Sequence, residues 1–248
     1  MIKKIDINSD EFKEEFEFTK IFTNEVLQIF NLVYNPDNEL NESIQRGLTR
    51  NKLIYGERFC PCFMVLGQNL EEQKQNIENR LCPCIPALRS EIPKNGNCHC
   101  GIFCTSEKAN QLSQENHLES LVCKKEDLTK DDCNKLFSQY EISSSDLEAL
   151  LKAREKEIIK FNLVDTREWM EWVERRIKDT DYLIPTTSFF DSIEQIINQK
   201  DIPTVVYCRA GNRSAQCQQI MFTLGFKKVV NLDFGISTYY GETQKGDN

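Results

Sequence analysis

The spacing of apolar residues predicts helices in the first part of the chain. Apolar side chains recur every three or four residues from Asp10 to Val33, which is the spacing of one face of an α-helix. Asn35-Pro36 should end this helix, because the residue before a proline disfavours helical backbone angles. Similar spacing predicts a second helix from Leu40 to Leu48 and a third between Leu66 and Leu81. The prolines and the glycine between Pro86 and Gly96 then predict a loop.

After Glu141 the pattern changes to short apolar segments that alternate with amphipathic ones. The apolar segments Phe161 to Val164, Pro203 to Tyr207 and Val229 to Leu232 predict buried strands. Helical spacing between these segments predicts helices, the last of which runs from Ser214 to Leu224. Strands that alternate with helices are typical of an α/β domain with a largely parallel sheet.

Chain length agrees with this change of pattern. The chain has 248 residues, which is enough for two domains of about 100 to 150 residues each. We therefore predict a mainly α domain at residues 1–108, a linker at 109–140 and an α/β domain at 141–248. Hydrophobic residues make up 40% of the chain and charged residues 28%, proportions that are typical of globular proteins.

Charge and hydropathy disfavour two classes of partner. The net charge of −8 argues against nucleic acid, whose phosphates bind basic surfaces. No apolar run approaches the roughly 20 residues of a membrane span, and the first residues lack the apolar core of a signal peptide. We therefore expect a cytoplasmic protein without nucleic-acid or membrane partners. In that reducing compartment, 11 cysteines indicate metal binding or catalysis rather than a disulfide scaffold.

Three Cys-x-Cys motifs lie close together in the first part of the chain. They read Cys60-Pro61-Cys62, Cys82-Pro83-Cys84 and Cys98-His99-Cys100. An iron–sulfur cluster or a tetrahedral zinc ion takes four thiolates, so two thiols would remain for a disulfide beside the metal. This count predicts a centre that passes electrons into a disulfide. The residues alone do not identify which cysteine of each motif binds metal, and a structural zinc site with two spare thiols is the alternative, although zinc more often uses Cys-x-x-Cys spacing.

The three motifs resemble those of the catalytic subunit of ferredoxin-thioredoxin reductase, a family that carries C-P-C, C-P-C and C-H-C in this order. The resemblance runs from about Phe18 to Lys108, although the intervals between the motifs are longer than is usual in the family. It implies a [4Fe-4S] cluster as cofactor. The implied cluster ligands are Cys60, Cys82, Cys84 and Cys98.

The same resemblance implies roles for the remaining residues of the motifs. Cys62 and Cys100 would form the redox-active disulfide, with Cys62 as the outward nucleophile and Cys100 beside the cluster. His99 would handle protons at this disulfide, while a loop histidine without a chemical role is the alternative. The implied partners are a ferredoxin-like electron donor and a thioredoxin-like acceptor.

Positive charge is concentrated just before the first motif. One interpretation is a solvated helix face, and the other is a docking surface for an acidic electron donor. The residues concerned are Arg46, Arg50, Lys52 and Arg58.

A second candidate site lies between the predicted strand that ends at Tyr207 and the helix that begins at Ser214. Cys208 leaves the carboxyl end of the strand, where ligands bind in such sheets. Backbone N–H groups and the helix dipole stabilise an anion at this position and favour the reactive thiolate. Arg209 and Arg213 would add positive charge if they point inward, and Gly211 would allow a tight turn.

This second half resembles the rhodanese family of sulfurtransferases, from about Ile142 to Glu242. The resemblance rests on the segments Val164 to Glu168, Cys208 to Ser214 and Asn231 to Gly235. It implies that Cys208 accepts a sulfane sulfur from thiosulfate or a persulfide. The loop amides implied to hold this sulfur belong to Arg209, Ala210, Gly211, Asn212 and Arg213. An inactive domain is the alternative, because a fold does not fix a function.

The two halves together predict a mainly α iron–sulfur domain followed by an α/β rhodanese-like domain. Electrons would pass from the ferredoxin-like donor through the cluster and the Cys62–Cys100 disulfide. The acceptor would be a thioredoxin-like protein or a persulfide, for example on Cys208. Two alternatives belong to other classes: a sulfurtransferase with a structural zinc module, and a redox sensor that is not an enzyme.

Overall fold

The computed structural model of the chain describes residues 2–115 and 128–246. Of these, 5–115 form one compact unit, and 128–246 form a second unit together with residues 2–4. The middle of the linker predicted at 109–140, residues 116–127, lies outside the described residues. Among the described residues, no helix is both long enough and apolar enough to cross a membrane.

Two long helices form the scaffold of the first unit. Helix α1 (Asp10–Phe30) begins after Ser9, whose side chain accepts a hydrogen bond from the Phe12 N–H, and it ends at Asn31 in a left-handed conformation. Helix α2 (Asn38–Tyr55) begins after Asp37 and ends at Gly56. The helix predicted to reach Val33 is therefore shorter, because Val33–Tyr34 forms strand β1 instead.

The remaining elements of the first unit are short. The helix predicted between Leu66 and Leu81 is confined to α3 (Leu70–Gln75). The predicted loop from Pro86 to Gly96 is wrong, since a π-helical turn (Ala87–Glu91) leads into α4 (Ile92–Asn95). Pro93 is compatible with this helix because it lies in the first turn, where its missing N–H has no intrahelical partner.

A small antiparallel ribbon closes the first unit. Strand β1 pairs with β2 (Phe103–Cys104), and α5 (Ser106–Glu115) follows. The apolar core contains Val26 of α1, Ile44 and Leu48 of α2, and several of the motif cysteines. The cysteine motifs are thus part of the packed core of this unit.

The second unit contains a five-stranded parallel sheet, as the sequence predicts. Its strand order is β3-β8-β7-β4-β6, and every pair in it is parallel. The sheet strands are β3 (Glu141–Ile142), β4 (Asn162–Asp165), β6 (Tyr182–Leu183), β7 (Thr204–Tyr207) and β8 (Val229–Leu232). Every residue of β4, β7 and β8 is buried, which explains the consecutive apolar residues in each strand. The polar residues Asn162, Asp165, Thr204 and Asn231 are buried with them.

Helices and a second short ribbon surround this sheet. The helices are α6 (Lys130–Leu136), α7 (Ser144–Glu155), α8 (Trp169–Glu174), α9 (Phe189–Ser192) and α10 (Asn212–Thr223). The ribbon pairs β5 (Arg176–Ile177) with β9 (Thr243–Gln244) in antiparallel fashion. Short 3₁₀ turns occupy Thr186–Ser188, Ile193–Ile196 and Gly235–Thr238. The connection from β7 to α10 carries the second candidate site.

Candidate functional site

The cysteine motifs of the first unit converge on one pocket. Apolar side chains of Ile44, Leu48, Ile102 and Phe103 form much of its wall. All four predicted cluster ligands line it, together with Cys100. The lining cysteines are Cys60, Cys82, Cys84, Cys98 and Cys100.

Backbone hydrogen bonds place the three motifs around this pocket. The Cys60 N–H donates to the Arg80 carbonyl at 2.6 Å, and the Cys82 N–H donates to the Arg58 carbonyl at 3.0 Å. The first two motifs therefore run side by side. The third motif is held by the residues that follow it, since the Cys98 N–H donates to the Phe103 carbonyl at 2.9 Å.

The two cysteines predicted to form the redox pair lie close together. The sulfur atoms of Cys60, Cys62 and Cys100 all lie within 4.8 Å of one another, and those of Cys60 and Cys100 are 2.8 Å apart. Cys62 is 7% exposed, and Cys100 is half-buried. These distances are compatible with a Cys62–Cys100 pair but do not select it over one that includes Cys60, so the pairing stays a prediction.

Burial affects the protonation of the other three predicted ligands. It raises the pKa of the Cys82 and Cys84 thiols, and it raises that of Cys98 to about 12. A metal centre binds such thiols as thiolates and displaces their protons. The four predicted ligands line one largely apolar pocket, and thiolates are the ligands of an iron–sulfur cluster. Among the described residues, the thiols whose sulfur atoms lie within 4.8 Å of one another are instead Cys60, Cys62 and Cys100, so the predicted ligand set stays a prediction.

His99 lies at the surface of the third motif. Its imidazole ring is 4.9 Å from the Phe63 ring, and its backbone N–H donates to Glu91 Oε2 at 2.9 Å. The second oxygen of Glu91 accepts from Arg80 Nη1 at 2.5 Å. Phe63, Arg80 and Glu91 could not be predicted at this site from the sequence, because no spacing marks them as neighbours of the third motif.

The basic residues before the first motif have partners within the first unit. Arg50 is 3% exposed and donates to the Asn51 side chain, while Arg58 pairs with Glu15. Arg46 pairs with Glu42 at 2.6 Å, and Lys52 donates to the Gly56 carbonyl. These contacts contribute to the packing of α1 and α2, and docking of an acidic electron donor stays one of the two interpretations.

The Cys208 loop of the second unit connects β7 to α10. Two of its backbone carbonyls accept hydrogen bonds from the 3₁₀ turn Gly235–Thr238. The Ile236 N–H donates to Cys208 O at 2.9 Å, and the N–H and hydroxyl of Ser237 donate to Arg209 O at 3.0 and 2.7 Å. In a trans peptide the N–H points away from the C=O, so the Arg209 and Ala210 amides face the other side. Within the described residues, the Ala210 and Gly211 N–H groups donate to no protein acceptor.

The side chain of Arg213 does not supply free positive charge to this loop. It is 3% exposed, and both of its terminal nitrogens donate to the Glu171 carboxylate at 2.8 Å. The ion pair anchors the first turn of α10 instead. An anion at Cys208 would therefore depend on the loop amides. Gly211 adopts a left-handed conformation (φ 89°) at the end of this loop, and Asn212 is the first residue of α10.

Other residues near the Cys208 loop have structural positions. Arg167 donates to both oxygens of the Asp165 carboxylate in a buried ion pair. Cys217 is buried in α10, and burial raises the pKa of its thiol. Cys208 itself is 1% exposed.

Two family models match adjacent parts of the chain. Residues 9–126 match the ferredoxin thioredoxin reductase catalytic beta chain, and residues 144–242 match the rhodanese-like domain. The first part is 26% identical over 98 residues to the ferredoxin-thioredoxin reductase catalytic chain of Porphyra purpurea, covering 39% of this chain and 75% of that one. The corresponding chain of Pyropia yezoensis is equally identical over the same length, with 76% of it covered.

Solved structures similar to the chain include rhodanese-like proteins. The rhodanese-like domain of an Anabaena protein is 17% identical, with a TM-score of 0.38, covering 43% of this chain and 80% of that one. A rhodanese-related protein from Thermoplasma volcanium is 23% identical, with a TM-score of 0.36, covering 43% of this chain and 98% of that one.

Proposed function

We propose that the chain is a cytoplasmic iron–sulfur disulfide reductase fused to a sulfurtransferase, because residues 9–126 match the ferredoxin thioredoxin reductase catalytic beta chain and residues 144–242 match the rhodanese-like domain. The first match supports disulfide reduction and the second supports sulfur transfer in general. The observation that carries the proposal is the presence of five motif thiols in the lining of one apolar pocket, with the Cys62 sulfur within 4.8 Å of those of Cys60 and Cys100. In this proposal a [4Fe-4S] cluster is held by Cys60, Cys82, Cys84 and Cys98.

The chemistry of reduction takes place at Cys62 and Cys100. A cluster bound by the four ligands would supply electrons one at a time. Two electrons and two protons convert the Cys62–Cys100 disulfide into two thiols, with His99 as the residue that transfers protons. The ultimate electron donor is a ferredoxin-like protein in this scheme.

Thiol–disulfide exchange then reduces the acceptor. The Cys62 thiolate attacks an acceptor disulfide, forms a mixed disulfide and releases one acceptor thiolate. The Cys100 thiolate attacks the Cys62 sulfur, re-forms the Cys62–Cys100 disulfide and releases the second acceptor thiolate. The acceptor in this scheme is a thioredoxin-like protein.

The test combines metal analysis with an assay of reduction. After anaerobic purification, iron and labile sulfide should be present in equal amounts, and reduced ferredoxin should drive reduction of a thioredoxin-like disulfide. Cys62→Ser should abolish reduction and leave the visible absorbance unchanged. Cys104→Ser, which removes a buried thiol outside the motifs, should leave both unchanged. Zinc without iron would instead favour a structural module and end the reductase proposal.

At the second site, the Cys208 thiolate attacks the outer sulfur of thiosulfate. This step forms a Cys208 persulfide and releases sulfite, while the Ala210 and Gly211 amides face the bound anion. Cys208→Ala should abolish sulfur transfer from thiosulfate to cyanide. The matched variant Cys217→Ala, in the following helix, should retain it. Activity that persists in Cys208→Ala would rule out this site.

The fusion suggests that the reductase acts on this persulfide. Attack of Cys62 on its outer sulfur frees the Cys208 thiolate, and attack of Cys100 on the new Cys62 persulfide releases hydrogen sulfide and re-forms the disulfide. The expected result is ferredoxin-dependent sulfide release that Cys208→Ala removes. Equal rates of release in that variant would exclude coupling.

A further inference from the structure

One carboxylate in the first unit links the third cysteine motif to the residues just before the second. Glu91 Oε1 accepts from Arg80 Nη1 at 2.5 Å, and Glu91 Oε2 accepts from the His99 backbone N–H at 2.9 Å. Arg80 lies two positions before Cys82, and His99 is the middle residue of the third motif. The side chains of Arg80 and Glu91 are 23% and 17% exposed, so solvent screens their ion pair only in part. We refer to Phe63, Arg80, Glu91 and His99 as the Glu91 network.

The same network reaches the first motif through Arg80. The Arg80 carbonyl accepts from the Cys60 N–H, and its guanidinium lies 3.9 Å from the centre of the Phe63 ring. Phe63 follows the first motif directly and also contacts the His99 imidazole. The imidazole is thus held by its backbone, through Glu91, and by its ring, through Phe63.

Charge favours this arrangement. Burial alone would lower the pKa of Arg80, but the hydrogen bond and the charge of Glu91 more than compensate and raise it. The guanidinium therefore stays charged against both Glu91 and the face of Phe63, which are the two partners that attract a planar cation. Charge-assisted hydrogen bonds of this kind are among the stronger ones in proteins.

We propose that Glu91 is a positioning residue for proton transfer at the Cys62–Cys100 disulfide. It holds the His99 peptide directly, and it holds the His99 ring through Arg80 and Phe63. The inference rests on the proposed function, in which His99 transfers protons. Proton transfer requires hydrogen-bond distance between donor and acceptor, so release of the His99 loop should slow the chemical step more than it weakens acceptor binding.

Two substitutions at Glu91 separate hydrogen bonding from charge. Glu91→Ala removes the acceptor for His99 and the partner of Arg80, and we expect kcat to fall about 10- to 100-fold. The KM for the acceptor should change less than about twofold, because Glu91 contacts no acceptor in this mechanism. The solvent deuterium isotope effect on kcat should rise as proton transfer becomes limiting. Glu91→Gln keeps an oxygen for the His99 N–H and should lose less activity.

A charge swap distinguishes positioning from simple stabilisation. Arg80→Glu combined with Glu91→Arg restores the ion pair but places a donor opposite the His99 N–H. This double variant should be as slow as Glu91→Ala. Recovery of the wild-type kcat would mean that the ion pair alone matters, and the proposal would be wrong. Metal content and visible absorbance, measured in parallel, check that each variant assembles.

A fourth variant keeps the test decisive if the Glu91 variants fail to assemble. Phe63→Leu leaves Glu91 and Arg80 in place and removes the aromatic contact with the imidazole. It should also lower kcat at constant KM and raise the solvent isotope effect. Wild-type kinetics in assembled Glu91→Ala or in assembled Phe63→Leu would overturn this inference and leave the proposed function standing. Failure of the proposed function would instead appear as a wild-type protein without reductase activity.

Discussion

At the scale of single residues, the Cys208 site depends on a glycine that packs against it. Gly235 has a φ of 58°, and a Cβ atom there would overlap the Cys208 carbonyl oxygen and lie 2.6 Å from that of Arg209. These are the carbonyls whose orientation turns the loop amides toward the anion site. The sequence predicts Cys208 and its loop as a candidate site, but it could not show that Arg213 is neutralised by Glu171, because 42 positions separate the partners.

Gly235→Ala should therefore disrupt the loop by steric overlap with these carbonyls, in addition to the strain of a positive φ. We expect at least a tenfold loss of thiosulfate sulfurtransferase activity, and a loss of about 1–3 kcal/mol in the free energy of unfolding because rigid carbonyls must move. Chemical denaturation and the cyanide assay measure both. The control is Gly246→Ala, which has the same left-handed strain (φ 94°) but nothing within 4 Å of the added methyl group. Equal activity losses in the two variants would contradict the steric argument.

At the scale of elements, long and buried segments could be predicted from the sequence, whereas short ones could not. Strands β4, β7 and β8 each contain consecutive apolar residues because both faces are covered. Strands β3 and β6 have two residues each, too few for a pattern to appear. In the first unit, the helical turns around Pro93 were missed because proline and glycine predict a loop wherever the surrounding contacts are unknown.

Helix α2 also positions the first cysteine motif, through a buried amide that the sequence does not reveal. Asn51 Nδ2 donates to the Phe59 carbonyl at 2.8 Å, and Phe59 precedes Cys60 directly. Asn51→Ala leaves that carbonyl without this donor, so we expect iron content to fall by about half or more as the motif loses its position. Asn41→Ala is the matched control, since it removes a buried amide that binds Asn35 O near the other end of α2. Wild-type iron content in Asn51→Ala would refute this role.

At the scale of the whole molecule, the two units have cores of different composition. The core of the first unit includes Cys60, Cys62, Cys84 and Cys98, whereas the core of the second is almost entirely aliphatic and aromatic. A metal centre in the first unit would therefore contribute to folding, because its binding free energy is absent from the unfolded chain. The sequence predicted two domains from the change in apolar pattern, but this difference in what stabilises them follows from the packing.

Metal removal should accordingly affect one unit and leave the other unchanged. In the full chain, anaerobic chelation of iron should lower the unfolding temperature of one calorimetric transition and weaken amide protection in residues 5–115. Residues 128–246 should keep their protection, since their strands β4, β7 and β8 pack without a thiol ligand set. Hydrogen exchange followed by mass spectrometry assigns the loss of protection to a unit. Gly235→Ala is the reverse control, because it should lower amide protection in the second unit at constant iron content. Equal loss of protection in both units on chelation would show that the metal stabilises the chain as a whole.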